Sequence, residues 1–235
     1  MTTTDTTRPE PPTLEEPVGR IAARCPAALP LLHRHRLDYC CGGDRPLAEA
    51  CAEAGVDADA LLAELRDVVG RSAEVDSWNE RPLEELVEHL LERYHAVHRE
   101  QLPVLIGMAQ RVERVHAERP GVPSGLADFL EDWIPELEAH MQKEEQVLFP
   151  MILAGRGGMA GAPIQVMRME HDAHGENLAK LRGIAHEFVP PAEACGTWRA
   201  LYAGLDAFVA DLMRHVHLEN EILFPRALAE GREEV

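Results

Sequence analysis

Two histidine–glutamate pairs share one spacing and one sequence context. His140 and Glu144 lie in HMQKEEQVLFP, and His215 and Glu219 lie in HVHLENEILFP, 75 positions later. Residues four apart face the same side of an α-helix, so each pair can bind one metal ion. A single pair of this kind is usually exposed to solvent, but both copies fall among apolar residues, where an unpaired carboxylate would be costly. The repeated pairs therefore predict a metal site.

A second repeated motif supplies further histidines. His95 and His98 in HAVHRE recur 76 positions later as His171 and His174 in HDAHGE. One histidine from each copy, added to the two histidine–glutamate pairs, gives four imidazoles and two carboxylates. This donor set suits iron, manganese or zinc better than Cu(I), and each carboxylate can bridge two ions. The alternative is a buried hydrogen-bond network without metal, which would have to satisfy every polar group.

Four long helical segments position these motifs, at residues 82–117, 124–154, 162–188 and 197–229. The breaks between the segments are rich in proline and glycine, as in ERPGVPSG, GRGGMAGAP and VPPAEACG. Each segment carries an apolar stripe with spacings of three and four residues, which is typical of a helix that faces a bundle core. In the second segment this stripe runs through Leu137, His140, Glu144, Val147 and Met151.

The helical segments and the repeated motifs predict an all-α protein whose bundle is a duplicated pair of helices. We divide the chain into a disordered tail at 1–16, a small helical N-terminal domain with a CCGG motif at 17–72, a linker at 73–82 and a four-helix bundle at 83–230. The small domain has too few residues to be very stable alone.

Two adjacent cysteines, Cys40 and Cys41, come before two glycines and ahead of a predicted helix start at Pro46. The positive end of a helix dipole would favour the thiolate form of these side chains. The cysteines could donate sulfur to a metal or cluster, exchange with a partner's thiol, or be two small residues at a turn. The sequence leaves these alternatives open.

Four other polar residues lie on or near the motifs. His98 and His174 could be additional ligands, partners that orient the ligands, or core histidines. Glu170, next to His171, could face the site or solvent. His217 falls off the apolar stripe, so we expect it at the surface.

The composition excludes several classes of partner. The net charge of −18 argues against nucleic acids and anionic membranes, because both require a basic face. No apolar run is long enough to span a membrane, and the N-terminal segment does not resemble a signal peptide. We therefore expect a cytoplasmic protein whose five cysteines are reduced.

Five segments of the sequence, taken in order, resemble one known family. LDYCCGG, RYHAVHREQLPVLI, HMQKEEQVLFPMI, EHDAHGENL and HVHLENEILFPRAL resemble the RIC/YtfE/ScdA proteins, which repair iron–sulfur clusters. The resemblance covers residues 17 to 230, nearly all of the chain except the tail. It implies a hemerythrin-like four-helix bundle preceded by a small helical cysteine-containing domain.

The resemblance also implies the metal and its ligands. Two non-haem iron ions per chain are expected, bridged by carboxylate and oxo groups, with Glu144 and Glu219 as the bridging carboxylates. Cys40 and Cys41 match a cysteine pair that is proposed to take part in transfer to or from the site. The ligands carried over from the family are His95, His140, Glu144, His171, His215 and Glu219.

Repair of iron–sulfur clusters damaged by nitric oxide or oxidants is the function that the resemblance implies, with iron donated to the cluster. Damaged iron–sulfur proteins would be the clients, NO or O₂ the small ligands, and a homodimer the expected assembly. A di-iron enzyme that reduces NO and a hemerythrin-like carrier or sensor of O₂ or NO are the alternatives. A simple carrier has no need of the CCGG segment, so that segment favours repair.

Overall fold

A computed structural model describes residues 10–71 and 78–230 of the chain. Parts of the predicted tail (1–9) and linker (73–77) lie outside these residues. The described chain is helical and contains no strand, apart from an isolated bridge between Pro17 and Pro46. No helix within it is long and apolar enough to cross a membrane. The all-α prediction is confirmed, whereas the division of the chain at residues 16, 72 and 82 stays a prediction.

The first compact unit consists of Met1–Pro82 together with Met213–Arg226. Local sequence explains where its helices begin and end. Pro17 precedes α1 and Pro46 precedes α3, while the Asp57 carboxylate accepts the backbone N–H of Asp59 and Ala60 at the start of α4. The helices of the N-terminal part are α1 (Val18–Arg24), α2 (Leu29–Arg34), α3 (Leu47–Ala54) and α4 (Ala58–Arg71).

The second compact unit consists of Leu83–Leu212 and Ala227–Val235. Its helices pack α6 against α7, α7 against α9 and α5 against α8. The units divide inside α10, between Leu212 and Met213, and again inside α11, between Arg226 and Ala227. The helices are α5 (Leu83–His89), α6 (Ala96–His116), α7 (Leu126–Lys143), α8 (Phe149–Leu153), α9 (Gly161–Ile184), α10 (Gly196–Leu218) and α11 (Phe224–Glu230).

The apolar stripes form the core of this unit, with one change of register. Leu137 is buried as predicted, but Val147 is 50% exposed and Leu148 is buried in its place. The reason is a π-helical turn at Glu144–Leu148, which contains more residues per turn than an α-helix and advances the buried face. The prediction for Val147 was therefore wrong, and Ile152 takes the core position that Met151 was expected to hold.

Candidate metal centre

Three π-helical turns in the described residues begin or end at a predicted ligand. His95 is the last residue of Leu90–His95, Glu144 the first of Glu144–Leu148 and Glu219 the first of Glu219–Leu223. Single π turns inside α-helices are often found at functional sites, because they redirect side chains that a regular helix would place elsewhere. The sequence pattern did not predict these turns.

Four predicted ligands of the second unit lie together and are fully buried or nearly so: His95, His140, Glu144 and His171. The two oxygens of Glu144 each lie 3.4 Å from a different imidazole, Oε2 from Nε2 of His95 and Oε1 from Nε2 of His140. Nε2 of His171 lies 3.1 Å from Nε2 of His140. Potential ligand atoms of His140, Glu144 and His171 are all within 4.8 Å of one another.

The other ring nitrogens of two predicted ligands, His95 and His140, bind carboxylates. Nδ1 of His95 lies 2.8 Å from Oε1 of Glu145, and Nδ1 of His140 lies 2.9 Å from Oε2 of Glu170. An ionised carboxylate only accepts hydrogen bonds, so both Nδ1 atoms donate. Carboxylates commonly hold the outer nitrogen of metal-binding histidines in this way.

These hydrogen bonds determine what Nε2 can do. A neutral imidazole that donates from Nδ1 carries an electron pair on Nε2, and in both His95 and His140 that atom faces Glu144. The separation of 3.4 Å exceeds that of an ordinary N–H···O hydrogen bond, which is about 2.7–3.2 Å. A cation would satisfy nitrogen and oxygen together, so this donor set fits a metal ion.

Basic side chains hold the outer carboxylates in place. Arg99 donates from Nη1 to Oε1 of Glu145 and from Nε to Oε2 of Glu138, both at 2.8 Å. Burial opposes ionisation of Glu145, but the hydrogen bonds from Arg99 and His95 outweigh it and lower the pKa of Glu145. Lys143 forms an ion pair with Glu170. Basic side chains therefore hold both carboxylates next to the histidines that they contact.

The remaining predicted ligands, His215 and Glu219, belong to the first unit and are both fully buried. Nε2 of His215 lies 3.2 Å from Oε1 of Glu219. The pair thus reproduces the helical spacing predicted for it.

In the first unit, the Asp38 carboxylate organises the cysteine loop. It accepts the backbone N–H of Cys40, Cys41 and Gly42 at 2.9–3.1 Å. The two cysteines are not joined in a disulfide, and their sulfur atoms lie 3.4 Å apart. A side chain at Gly43 would put its Cβ 2.9 Å from the carbonyl oxygen of Tyr39, so the loop requires glycine there.

The environment of Cys40 differs from the predicted one. The hydrogen bond with the Cys41 thiol, burial and the Asp38 charge raise the pKa of Cys40 well above its ordinary value. A helix dipole was expected to favour the thiolate, but α3 begins only at Leu47, several residues beyond the loop. For Cys40 the expectation of a favoured thiolate was therefore wrong, because the Cys41 thiol, burial and Asp38 disfavour the charged form.

Two residues beside the second histidine–glutamate pair bind the cysteine loop. Asn220 donates from Nδ2 to the carbonyl oxygen of Cys40 at 3.1 Å, and His217 donates from Nδ1 to that of Tyr39 at 3.2 Å. His217 is 1% exposed rather than at the surface as expected, because the loop covers it. Burial lowers the pKa of His217 to about 4, so the ring is neutral.

Comparison with known proteins agrees with this arrangement. Residues 86–227 match the profile of the hemerythrin HHE cation-binding domain, and residues 14–69 match a domain of unknown function, DUF542. The iron–sulfur cluster repair protein YtfE of Citrobacter koseri is 48% identical over 215 residues, which cover 92% of this chain and 97% of the relative. The chain belongs to the RIC/YtfE/ScdA family.

Other relatives within the RIC/YtfE/ScdA family are equally similar. The proteins of the same name from Escherichia coli O81 and Escherichia fergusonii are 48% and 47% identical over 215 residues, with the same coverage of 92% and 97%. The hemerythrin-like domain and the buried histidine–glutamate clusters indicate a metal site. The prediction of a hemerythrin-like bundle is confirmed, while the full set of six ligands stays a prediction.

The sequence pattern missed some members of this RIC/YtfE/ScdA site. Glu145 and Arg99 have no periodic signal, and the only hint in the sequence was the doubled acid Glu144-Glu145. Glu170 was left open between the site and solvent, and it proves to hold His140.

Proposed function

We propose that this protein repairs iron–sulfur clusters damaged by nitric oxide or oxidative stress, by donating iron from a di-iron centre. Damaged iron–sulfur proteins would be its clients, and we place it in the cytoplasm as a homodimer. Two non-haem iron ions per chain would be held by His95, His140, Glu144, His171, His215 and Glu219.

One observation carries the metal part of the proposal. Nε2 atoms of His95 and His140 face the two oxygens of the buried Glu144, while their Nδ1 atoms donate to carboxylates. A neutral imidazole that donates from Nδ1 presents the electron pair of Nε2 to a Glu144 oxygen, and a cation would let nitrogen and oxygen share this buried site. Because each oxygen of Glu144 faces a different histidine, this carboxylate suits a bridge between two ions.

The second histidine–glutamate pair is included on the basis of the repeat and the family. His215 and Glu219 are buried like His140 and Glu144, and a π turn starts at the glutamate in both copies. The match to the cation-binding domain runs through residues 86–227 and so includes both pairs. This supports one centre with two carboxylate bridges.

Iron donation requires a site that binds the metal reversibly. Imidazole and carboxylate ligands meet this need better than a cage of thiolates. Bound iron would supply ferrous ions for transfer and a binding position for NO or O₂. The protein contributes fixed imidazole rings, oriented from outside by Glu145 and Glu170.

The cysteines are the proposed route for transfer. Cys40 and Cys41 present two sulfur atoms in one loop, and Asn220 and His217 attach that loop to the turn that carries Glu219. A residue that receives iron should lie close to the ligands that release it. The name of the relatives as iron–sulfur cluster repair proteins supports the same function.

Transfer of iron to a damaged cluster tests the proposal. The protein would be purified without oxygen, loaded with ferrous iron and incubated with an acceptor whose [4Fe–4S] cluster had been treated with NO. We expect the acceptor to regain its cluster absorbance as the donor loses iron. The double variant Cys40→Ser/Cys41→Ser should keep its iron yet lose transfer, and Cys51→Ser, a change at a buried cysteine of α3, serves as the control.

The outcomes separate the candidate functions. Repeated formation of N₂O without loss of iron would favour an NO-reducing enzyme. Stable binding of NO or O₂, with neither turnover nor transfer, would favour a carrier or sensor. Transfer at the wild-type rate by the double cysteine variant would contradict the proposed route.

A further inference from the structure

His174 lies one helical turn beyond His171 on α9, and its buried ring contacts the rings of both Trp133 and His140. Those two residues are seven positions apart on α7, which corresponds to about 10.5 Å along a helix. The centroid of the His174 ring is 6.1 Å from that of Trp133 and 5.0 Å from that of His140. The imidazole of His174 therefore fills the space between the indole and a predicted metal ligand.

A buried hydrogen bond determines which nitrogen of His174 carries the hydrogen. Trp133 donates from Nε1 to Nδ1 of His174 at 3.2 Å. An indole N–H can only donate, so Nδ1 must accept, and the hydrogen of the neutral imidazole is then on Nε2. Neither nitrogen offers an electron pair to a metal ion. This excludes His174 from the ligand set, although His171 in the same motif remains in it.

The donor nitrogen of His174 is on the part of the ring farther from the indole N–H. Nδ1 is occupied by the indole N–H, so Nε2 is directed away from Trp133, and the ring of the predicted ligand His140 lies 5.0 Å from the His174 ring. Around it the packing is aromatic: the Phe208 ring lies 5.9 Å from that of Trp133 in a T-shaped arrangement. A hydrogen-bond donor that is buried away from water interacts strongly with negative charge.

We propose that His174 donates a hydrogen bond from Nε2 to a small anionic or polarised ligand at the metal centre, such as azide or NO. Trp133 is the positioning residue, because its indole N–H holds His174 in the tautomer that can donate. The inference rests on the proposed metal centre. It gives a role to His174, the second histidine of the HDAHGE motif, which does not bind metal.

The tautomer can be measured without iron. Long-range ¹H–¹⁵N NMR of the metal-free and the zinc-loaded protein should show the hydrogen of His174 on Nε2 in both states. In Trp133→Phe the indole donor is lost, and we expect the Nδ1–H form to appear. Detection of the Nδ1–H form in the wild type, or a His174 nitrogen that loses its hydrogen when zinc binds, would overturn the proposal.

Azide binding to the iron-loaded protein tests the donor role. We expect His174→Leu to keep the wild-type iron content and to bind azide more weakly by on the order of tenfold. His174→Gln, whose amide can donate, should recover part of the affinity. His98→Leu is the matched control, because His98 holds the equivalent position in the first HxxH motif and should leave the azide affinity within about twofold.

The remaining outcomes would overturn the inference in distinguishable ways. Loss of iron in both His174→Leu and His174→Gln, with both variants folded, would make His174 a ligand. Unchanged azide affinity with a lower melting temperature would leave it a packing residue. A wild-type protein that binds no iron would contradict the proposed function itself.

Discussion

The two copies of the histidine–glutamate motif have the same local structure but different neighbours. In each copy the glutamate starts a π turn and a phenylalanine starts the next helix, at Phe149 in the first and Phe224 in the second. The residue after the glutamate differs. Glu145 in the first copy accepts a hydrogen bond from His95, whereas Asn220 in the second copy donates to the carbonyl oxygen of Cys40.

A second pair of equivalent positions, Gln142 and His217, also has different partners in the two copies. Gln142 in the first copy donates to Glu138 at an exposed site, while His217 in the second copy is buried and donates to Tyr39. Identical residues thus preserve the ligand geometry, and the changed residues give each copy a separate task. The first copy orients the predicted ligand His95 from outside, and the second copy holds the cysteine loop.

The largest expected effect is at the position that the two copies share. Glu144→Leu and Glu219→Leu should each lose most of the bound iron, because a bridging carboxylate contacts both ions. Metal analysis of protein prepared without oxygen measures the loss, and a helical circular dichroism spectrum checks the fold. If either variant kept two irons per chain, the assignment of that glutamate as a bridge would be wrong.

The next largest effect is a difference in iron affinity between variants at equivalent positions of the two copies. Glu145→Ala should weaken iron binding by about 10–100-fold, because His95 loses the carboxylate that orients it. Asn220→Ala, at the equivalent position of the second copy, should change iron affinity by less than about threefold. Competition with a coloured ferrous chelator gives both affinities. Equal losses in the two variants would show that the copies had not specialised.

For the stability of the cysteine loop, a change in the second copy should have the larger effect. Asn220→Ala leaves the buried carbonyl oxygen of Cys40 without its amide donor and should cost about 1–3 kcal/mol of unfolding free energy. Gln142→Ala, an exposed change in the first copy, should cost less than about 0.5 kcal/mol. Urea denaturation of the iron-free proteins measures both values. If Asn220 holds the loop, Asn220→Ala should also make Cys40 accessible to alkylation, whereas Gln142→Ala should not.

The smallest expected effect is in how the alkylation rate of the Cys40 thiol depends on pH. Its pKa is raised by the Cys41 thiol, burial and Asp38, so less thiolate is present at pH 8 than in an unfolded chain. Alkylation by iodoacetamide should therefore be slower than in an unfolded chain near neutral pH, and its rate should still be rising at a pH where an ordinary thiol is fully ionised. Mass spectrometry of the labelled peptide measures the rate. Asp38→Asn removes a negative charge and should shift the rise to lower pH, and equal rates in folded and denatured wild-type protein at pH 8 would contradict a raised pKa.

Much of the site is encoded in local sequence. The spacing of His140 and Glu144 puts both side chains on one helical face whatever surrounds them, and the repeat at His215 and Glu219 identifies the same unit twice. The stripes of apolar residues likewise predict which faces are buried, because helical periodicity depends only on neighbours along the chain. Fold class, the motifs and the CCGG segment were therefore accessible from the sequence alone.

Only the tertiary structure decided how polar groups pair across helices. The contact of Glu145 with His95 joins residues 50 positions apart, and that of His217 with Tyr39 joins residues 178 apart. Such pairs depend on how helices pack, and no periodic pattern records them. The indole that fixes the tautomer of His174 is of the same kind, because Trp133 and His174 lie 41 positions apart and meet only when their helices pack.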